Sequence, residues 1–191
     1  MSATRRGTWV GIVAVAVACA GLVSGAAASA AEVTLVRPGL LTSVGQSADI
    51  VIVKVLLNTQ LKLGLEVKPL AQPADLAGMK TLVVVVGASS KGLGAAGLDM
   101  DKEIARARAL MKAAKDQGTQ ILVMHTGGEQ RRGKTSNDLI DIVVPEATYV
   151  VVVAAGNKDK YLTTLAGKKN TPVSEVEKLA AAGEVVKGLF K

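Results

Sequence analysis

Three loops hold most of the residues in this chain whose types and spacing suit chemistry. They are Gly45-Gln46-Ser47, the stretch Gly87-Ala88-Ser89-Ser90-Lys91-Gly92-Leu93-Gly94-Ala95-Ala96-Gly97, and His125-Thr126-Gly127-Gly128-Glu129-Gln130-Arg131-Arg132-Gly133. Backbone N–H groups at a loop-to-helix junction carry partial positive charge. Loop amides with Ser89, Ser90, Lys91, Gly92 and Gly94 can therefore face an anion. Arg131 and Arg132 present planar forks that match carboxylate or phosphate oxygens; the alternative for them is a solvated basic turn. His125 is the chain's one histidine. Next to Gly127 and Gly128 it suits a ligand contact, an acid–base role with Glu129, or a structural hydrogen bond. Gln46 and Ser47 offer a third contact set, or a simple helix cap. No metal set is expected, since a lone histidine with Glu129 lacks a third ligand, and no Gly-x-Ser-x-Gly nucleophile motif occurs.

The stretch Gly92-Leu93-Gly94-Ala95-Ala96-Gly97 fits G-x-G-x-x-G letter for letter. A dinucleotide site needs its first glycine at the strand's end and an acidic residue after the next strand. Here five residues separate Val86 from Gly92, and the next apolar run ends in Met124-His125. The Gly87–Gly94 segment also looks like the cofactor loop of short-chain dehydrogenases with Lys91 inserted, but that family's Tyr-x-x-x-Lys pair is missing. A nicotinamide cofactor stays as an alternative, and the cofactor is otherwise undetermined. A Walker A loop fails, because Leu93 and Gly94 stand where Lys and Ser/Thr are required. The structural alternative is a tight glycine-rich crossover packed on its own helix.

The elements that would position these loops follow from periodicity. Apolar runs predict strands near 33–36, 40–44, 64–70, Thr81–Val86, 119–124 and 149–154. Helical patterns cover 47–61, 99–117 and 136–143, the last capped by Ser136 and stopped by Pro145. A single turn is expected at 73–78, a short helix up to Ala166, and a terminal helix from Ser174, where Thr171-Pro172-Val173-Ser174 precedes Glu175 and Glu177. Strands alternating with helices predict a three-layer Rossmann-like or flavodoxin-like α/β fold. Its mostly parallel sheet of about five strands carries helices on both faces. Ligands in such sheets sit outside the carboxyl ends of the strands. Each of the three loops, and Gly156-Asn157, follows a predicted strand, so all converge on one edge.

Arg5 and Arg6, an uncharged apolar stretch from Trp9 to Val23, and Ala28-Ser29-Ala30 read as a secretory signal peptide over residues 1–30. The apolar stretch is short of the roughly 20 residues of a membrane span, so membrane contact is expected only through this segment if it stays uncleaved. Residues 31–191 then form a single α/β domain, exported to a periplasmic or extracellular location. Arg5-Arg6 matches the twin-arginine pattern loosely, and Cys19 sits in a weak lipobox. Cys19 is the only cysteine, so the processed chain has no disulfide framework. Few aromatics remain, only Tyr149, Tyr161 and Phe190, which argues against nucleic-acid stacking modules. The formal charge of +7 suits an anionic partner or plain solubility.

Together, Gly45-Gln46-Ser47-Ala48-Asp49, Lys91-Gly92-Leu93-Gly94-Ala95-Ala96-Gly97 and the His-x-Gly-Gly-Glu-x-Arg-Arg-Gly loop make the chain resemble a family of exported bacterial proteins of unknown function. The resemblance covers most of residues 31–191. It implies a small exported α/β domain, no reaction type and no assigned functional residue. The expected function is binding of a small anionic ligand, a carboxylate or phosphate, or of an acidic partner protein, at the carboxyl edge of the sheet. A hydrolase or transferase using His125 as acid–base is the alternative.

Overall fold

The computed structural model describes Met1 and residues 33–191. The signal-peptide reading lies outside the described residues. The fold is built on Thr81–Val86, β3 once the strands are numbered, whose six residues are all buried. β-Branched side chains pack well on a pleated surface, and a strand apolar on both faces has to be central. It pairs in parallel with β1 (Gly39–Val44) and β4 (Gln120–His125). The short β2 (Glu66–Val67) flanks β1, and β5 (Tyr149–Val153) and β6 (Val173–Val176) extend the other side. The order is β2-β1-β3-β4-β5-β6, a six-stranded sheet with every pairing parallel.

Alternation along β3 divides the core. Leu82, Val84 and Val86 face α3 (Met100–Asp116), α4 (Lys134–Val143) and α5 (Tyr161–Gly167). Val83 and Val85 face α1 (Asp49–Lys54), which continues as a π-helical stretch Val55–Gln60, and also α6 (Leu179–Leu189). Each such fully buried Val or Leu contributes about 1.5–3 kcal/mol relative to exposure. The result is the expected three-layer α/β arrangement. No helix among the described residues is long and apolar enough to cross a membrane.

Four expectations are corrected. The sheet has six strands, where about five were expected. The sixth is the segment whose Ser-Glu-x-Glu chemistry pointed to a helix start. Val173 and Val176 pair with the edge of β5, because its open row of backbone groups gains more from a partner strand than from a local helix. Ser136 lies inside α4 and does not cap it; its hydroxyl accepts the Ala88 N–H at 3.0 Å. Finally, the glycine-rich stretch is not open loop up to Asp99. Ser90–Ala95 forms a short helix, α2.

The segment just before β1 packs at the amino ends of β3 and β4. Leu35 forms a parallel bridge with Phe190, its N–H donating to the Leu189 carbonyl at 2.7 Å, and the Lys191 N–H reaches back to the Leu35 carbonyl at 3.3 Å. Gln120 and Thr81 hold the same segment through hydrogen bonds to Thr34 and Val36.

Candidate functional site

Strand order reverses between β1 and β3, since the chain runs from β1 out to β2 and then returns past β1. The crevice outside the carboxyl ends of β1 and β3 is the expected ligand position in such a sheet. Here backbone zips that crevice shut. Ser89 N–H donates to the Gly45 carbonyl at 2.8 Å, Gly87 N–H donates to the Val44 carbonyl at 2.9 Å, and Gln46 forms an antiparallel bridge with Ala88. Gly45 has φ +99°, and a Cβ there would lie 2.8 Å from the Ala88 Cα and overlap the Gly87 carbonyl. Only glycine fits this crossing.

A buried ion pair props this turn from below. Glu103 on α3 is fully buried, and its carboxylate accepts the Gly45 N–H at 2.7 Å and the Gln46 Nε2 at 3.2 Å. Arg106, one helical turn on, donates Nε and Nη2 to the same carboxylate at 2.8 and 2.7 Å. It also donates Nη1 to the Ala71 carbonyl and Nη2 to the Ser43 carbonyl. Two charges out of water are tolerable only with their hydrogen-bonding capacity met, as it is here. Sequence reasoning missed both residues. The available signal was their register: Glu103 and Arg106 fall on the stripe of Ala107, Leu110, Met111 and Ala114 that α3 buries.

The glycine-rich stretch sits directly above. Ser89 caps α2, its oxygen accepting the Gly92 N–H at 3.1 Å. Gly92 presses on the Gln46 carbonyl so closely that a Cβ would overlap it. Gly97, at φ +68°, ends the helix in the left-handed conformation, and Gly94 has nothing within 4 Å of where a Cβ would stand. These glycines serve packing and capping. The space a pyrophosphate would need beside Gly92 is filled by Gln46, so the residues present do not fit a dinucleotide cradle. Gln46 Nε2 is occupied by the Ser43 and Pro69 carbonyls as well as Glu103, while Ser90 and Lys91 stand exposed on the first turn of α2.

His125 ends β4 and is completely buried. Nδ1 lies 3.0 Å from the Val86 carbonyl, which fixes Nδ1–H as the donor and leaves Nε2 an acceptor. That Nε2 is buried without a partner, against Gly156, where a Cβ would come within 2.6 Å of it. Burial pushes the imidazole below its ordinary value; the carbonyls of Val86 and Gly128 pull the other way and are outweighed. The side chain thus ties β4 to β3 as a neutral ring, sealed from solvent. Glu129 is exposed, and its carboxylate pairs with Lys158 at 2.8 Å, which holds it below the usual carboxylate range. His125 and Glu129 do not share a hydrogen bond.

The two arginines of the third loop differ in use. Arg132 latches the β4 and β5 loops together. It donates to both Asp159 oxygens at 3.0 Å, to the Gly156 carbonyl and to Asn137 Oδ1, and it lies over the Tyr161 ring with its carbon 5.2 Å from the centroid. This fork is spent. Arg131 instead crosses the switch point. Its stem packs over Gly87 and Gly127, where a Cβ on Gly127 would overlap it. Its Nε lies 3.4 Å from Asp49 Oδ2, the oxygen that also accepts the Ser47 hydroxyl at 3.0 Å. The Arg131 side chain is 31% exposed, and among the described residues neither of its terminal nitrogens has a hydrogen-bond partner. Gly128, at φ +62° and ψ −154°, turns the chain into the Glu129–Arg131 turn that delivers this side chain. The three loops therefore do meet, and Arg131 joins them, packing on Gly87 and Gly127 and reaching the first loop through Asp49, which holds Ser47. Beside Arg132 a recess of about 170 Å³ opens between Gly156 and Lys158, and no cluster of three metal-ligating side chains occurs among the described residues.

With that geometry in place, comparison with known proteins gives one match. Residues 37–190 match the family described as Domain of unknown function (DUF6305), and the chain belongs to it. This agrees with the unknown-function family that the three loops resemble. No curated protein and no solved structure matches the chain.

Proposed function

We propose that this is an exported small-ligand-binding protein whose anion site lies at the carboxyl edge of the sheet, centred on Arg131. The supporting observation is the state of that guanidinium. It is anchored at Nε by Asp49 across the switch point, with its two terminal nitrogens directed at no other described residue. An arginine held by its stem and one nitrogen keeps a preorganised fork for a carboxylate or phosphate. Ser90 and Lys91, exposed on the same edge, add polar contacts. Gln46, Ser47, Ser89, Gly92, Gly127, Gly128, His125 and Arg132 act as the frame that holds Arg131 in place. Export rests on the N-terminal charge and apolar pattern.

Calorimetric titration with inorganic phosphate and with a series of small mono-, di- and tricarboxylates tests the site. Binding by the wild type, abolished in Arg131→Ala and weakened in Arg131→Lys, is the expected result. Circular dichroism should show both variants folded. Absence of any anion binding to the wild type, or equal binding by Arg131→Ala, overturns the proposal.

A further inference from the structure

A cavity of about 700 Å³ lies away from that edge, in a groove between α3 and α4. Its floor is apolar, formed by Ile104, Met111, Ile142 and Pro145. Its walls carry opposite charge. Arg108, Lys112 and Lys115 rise from α3, and Asp138, Asp141 and Glu146 from α4 and the turn after it, with Lys134 of α4 beside Asp138. Facing rows of opposite charge ordinarily pair across a groove, and here one pair does, Lys115 with Glu146 at 2.9 Å. Three others pair elsewhere: Lys112 with Asp116 on its own helix, Asp138 with Lys134 on its own helix, and Asp141 with the Tyr161 hydroxyl.

That leaves matched groups facing each other over an apolar floor. Among the described residues Arg108 makes no ion pair or side-chain hydrogen bond. Asp138 and Asp141 each use one carboxylate oxygen and keep the other. We infer that this groove binds a short linear peptide with free termini and apolar side chains. The peptide carboxylate is taken by Arg108, its ammonium by the free oxygens of Asp138 and Asp141, and its side chains by the floor. Each part has a physical reason. The guanidinium fork matches a carboxylate, the carboxylate pair matches an ammonium, and side-chain burial on Ile104, Met111 and Ile142 supplies the apolar gain. The volume falls within the roughly 300–1,000 Å³ of small-molecule sites. An apolar anion alone would leave the free oxygens of Asp138 and Asp141 unused, and a polar zwitterion would leave the floor unused. The inference stands apart from the Arg131 site, since neither uses the other's residues.

The test uses trileucine with free termini, its carboxamide form, and its N-acetylated form, titrated into the full chain by calorimetry. Trileucine should bind the wild type, and each blocked form about tenfold or more weakly, as expected for loss of one charge-assisted contact. Arg108→Glu should weaken trileucine by at least as much, yet leave the cationic carboxamide form bound as well or better, because that form has no carboxylate to lose. Arg108 is exposed and unpaired, so this variant should fold, and an unchanged melting temperature checks that it does. Asp138→Asn, a milder change on the other wall, should weaken free-amine peptides and not the acetylated one. Failure of trileucine to bind, equal binding of free and blocked peptides, or equal response of the carboxamide form and trileucine to Arg108→Glu overturns the inference.

Discussion

Replacing Gly92 and Gly94 with alanine, one at a time, separates a packing role for the glycine-rich stretch from a ligand-cradling one. A methyl group on Gly92 overlaps the Gln46 carbonyl oxygen and lies 3.3 Å from the Gln46 Cβ. That carbonyl cannot easily retreat. Gln46 is itself in the left-handed conformation at φ +55°, bridged to Ala88, and its side chain is held by Glu103. Relief requires a backbone shift of about an ångström, so the cost belongs at the upper end of the 1–3 kcal/mol typical of overpacking, about 3 kcal/mol. Gly94 sits in the same helix with open space around it, and alanine there restricts the unfolded chain. The gain should be about 0.5–1 kcal/mol. Equilibrium urea unfolding reads both. For a domain of this size, about 2–4 °C of Tm per kcal/mol translates the pair into a fall of about 6–12 °C and a rise of about 1–4 °C. A Gly92→Ala protein within about 0.5 kcal/mol of wild type, or two variants shifting in the same direction, would refute the packing account.

Glu103→Leu should destabilise the protein by about 3–5 kcal/mol in urea unfolding, because it strands the Arg106 guanidinium in the core. Glu103→Leu combined with Arg106→Met should recover part of that loss but not all, since the Gly45 N–H and the Ala71 carbonyl stay unpaired. His125 sets a pH dependence of its own. Its folded value lies below the unfolded one, so the unfolded chain binds the extra proton, and stability should fall as pH drops below about 6.5. As the chain's one histidine, it owns the window above the carboxylate range, and His125→Gln should flatten the midpoint-versus-pH curve there. A wild-type midpoint constant between pH 7 and 5 would show that the ring is not buried neutral.

Where local pattern and tertiary demand agree, the chain could be read directly. Thr81–Val86 is the central strand its valines announce, and α3 runs from its Asp99 cap, which accepts the Lys102 N–H, to Gly118. The convergence of the loops also followed, because strand-then-loop order in a parallel sheet puts them on one edge. What failed did so where a tertiary partner decided. Val173–Val176 has helix-start chemistry beside it, yet β5 needed a neighbour. Ser136 carries a capping side chain, yet it serves the Ala88 amide from another strand's loop. Arg131 and Arg132 are adjacent and chemically alike; Asp159, Tyr161 and Gly156 claim one and Asp49 only grips the other, a distinction no local sequence contains. Glu103 resembles an exposed helix carboxylate until its place on the buried stripe is counted.

The bridge between Leu35 and Phe190 has a consequence for biosynthesis. The first described strand-like segment finds its partner in residues 189–191, and Thr34 and Val36 beside it bond to Gln120 and Thr81. A nascent chain therefore cannot complete this bridge until those residues have cleared the ribosome. A sheet of parallel pairings joined by long crossovers already forms slowly. Fastening Leu35 to Phe190 adds a contact of very long sequence separation, so it forms late among the contacts of the domain.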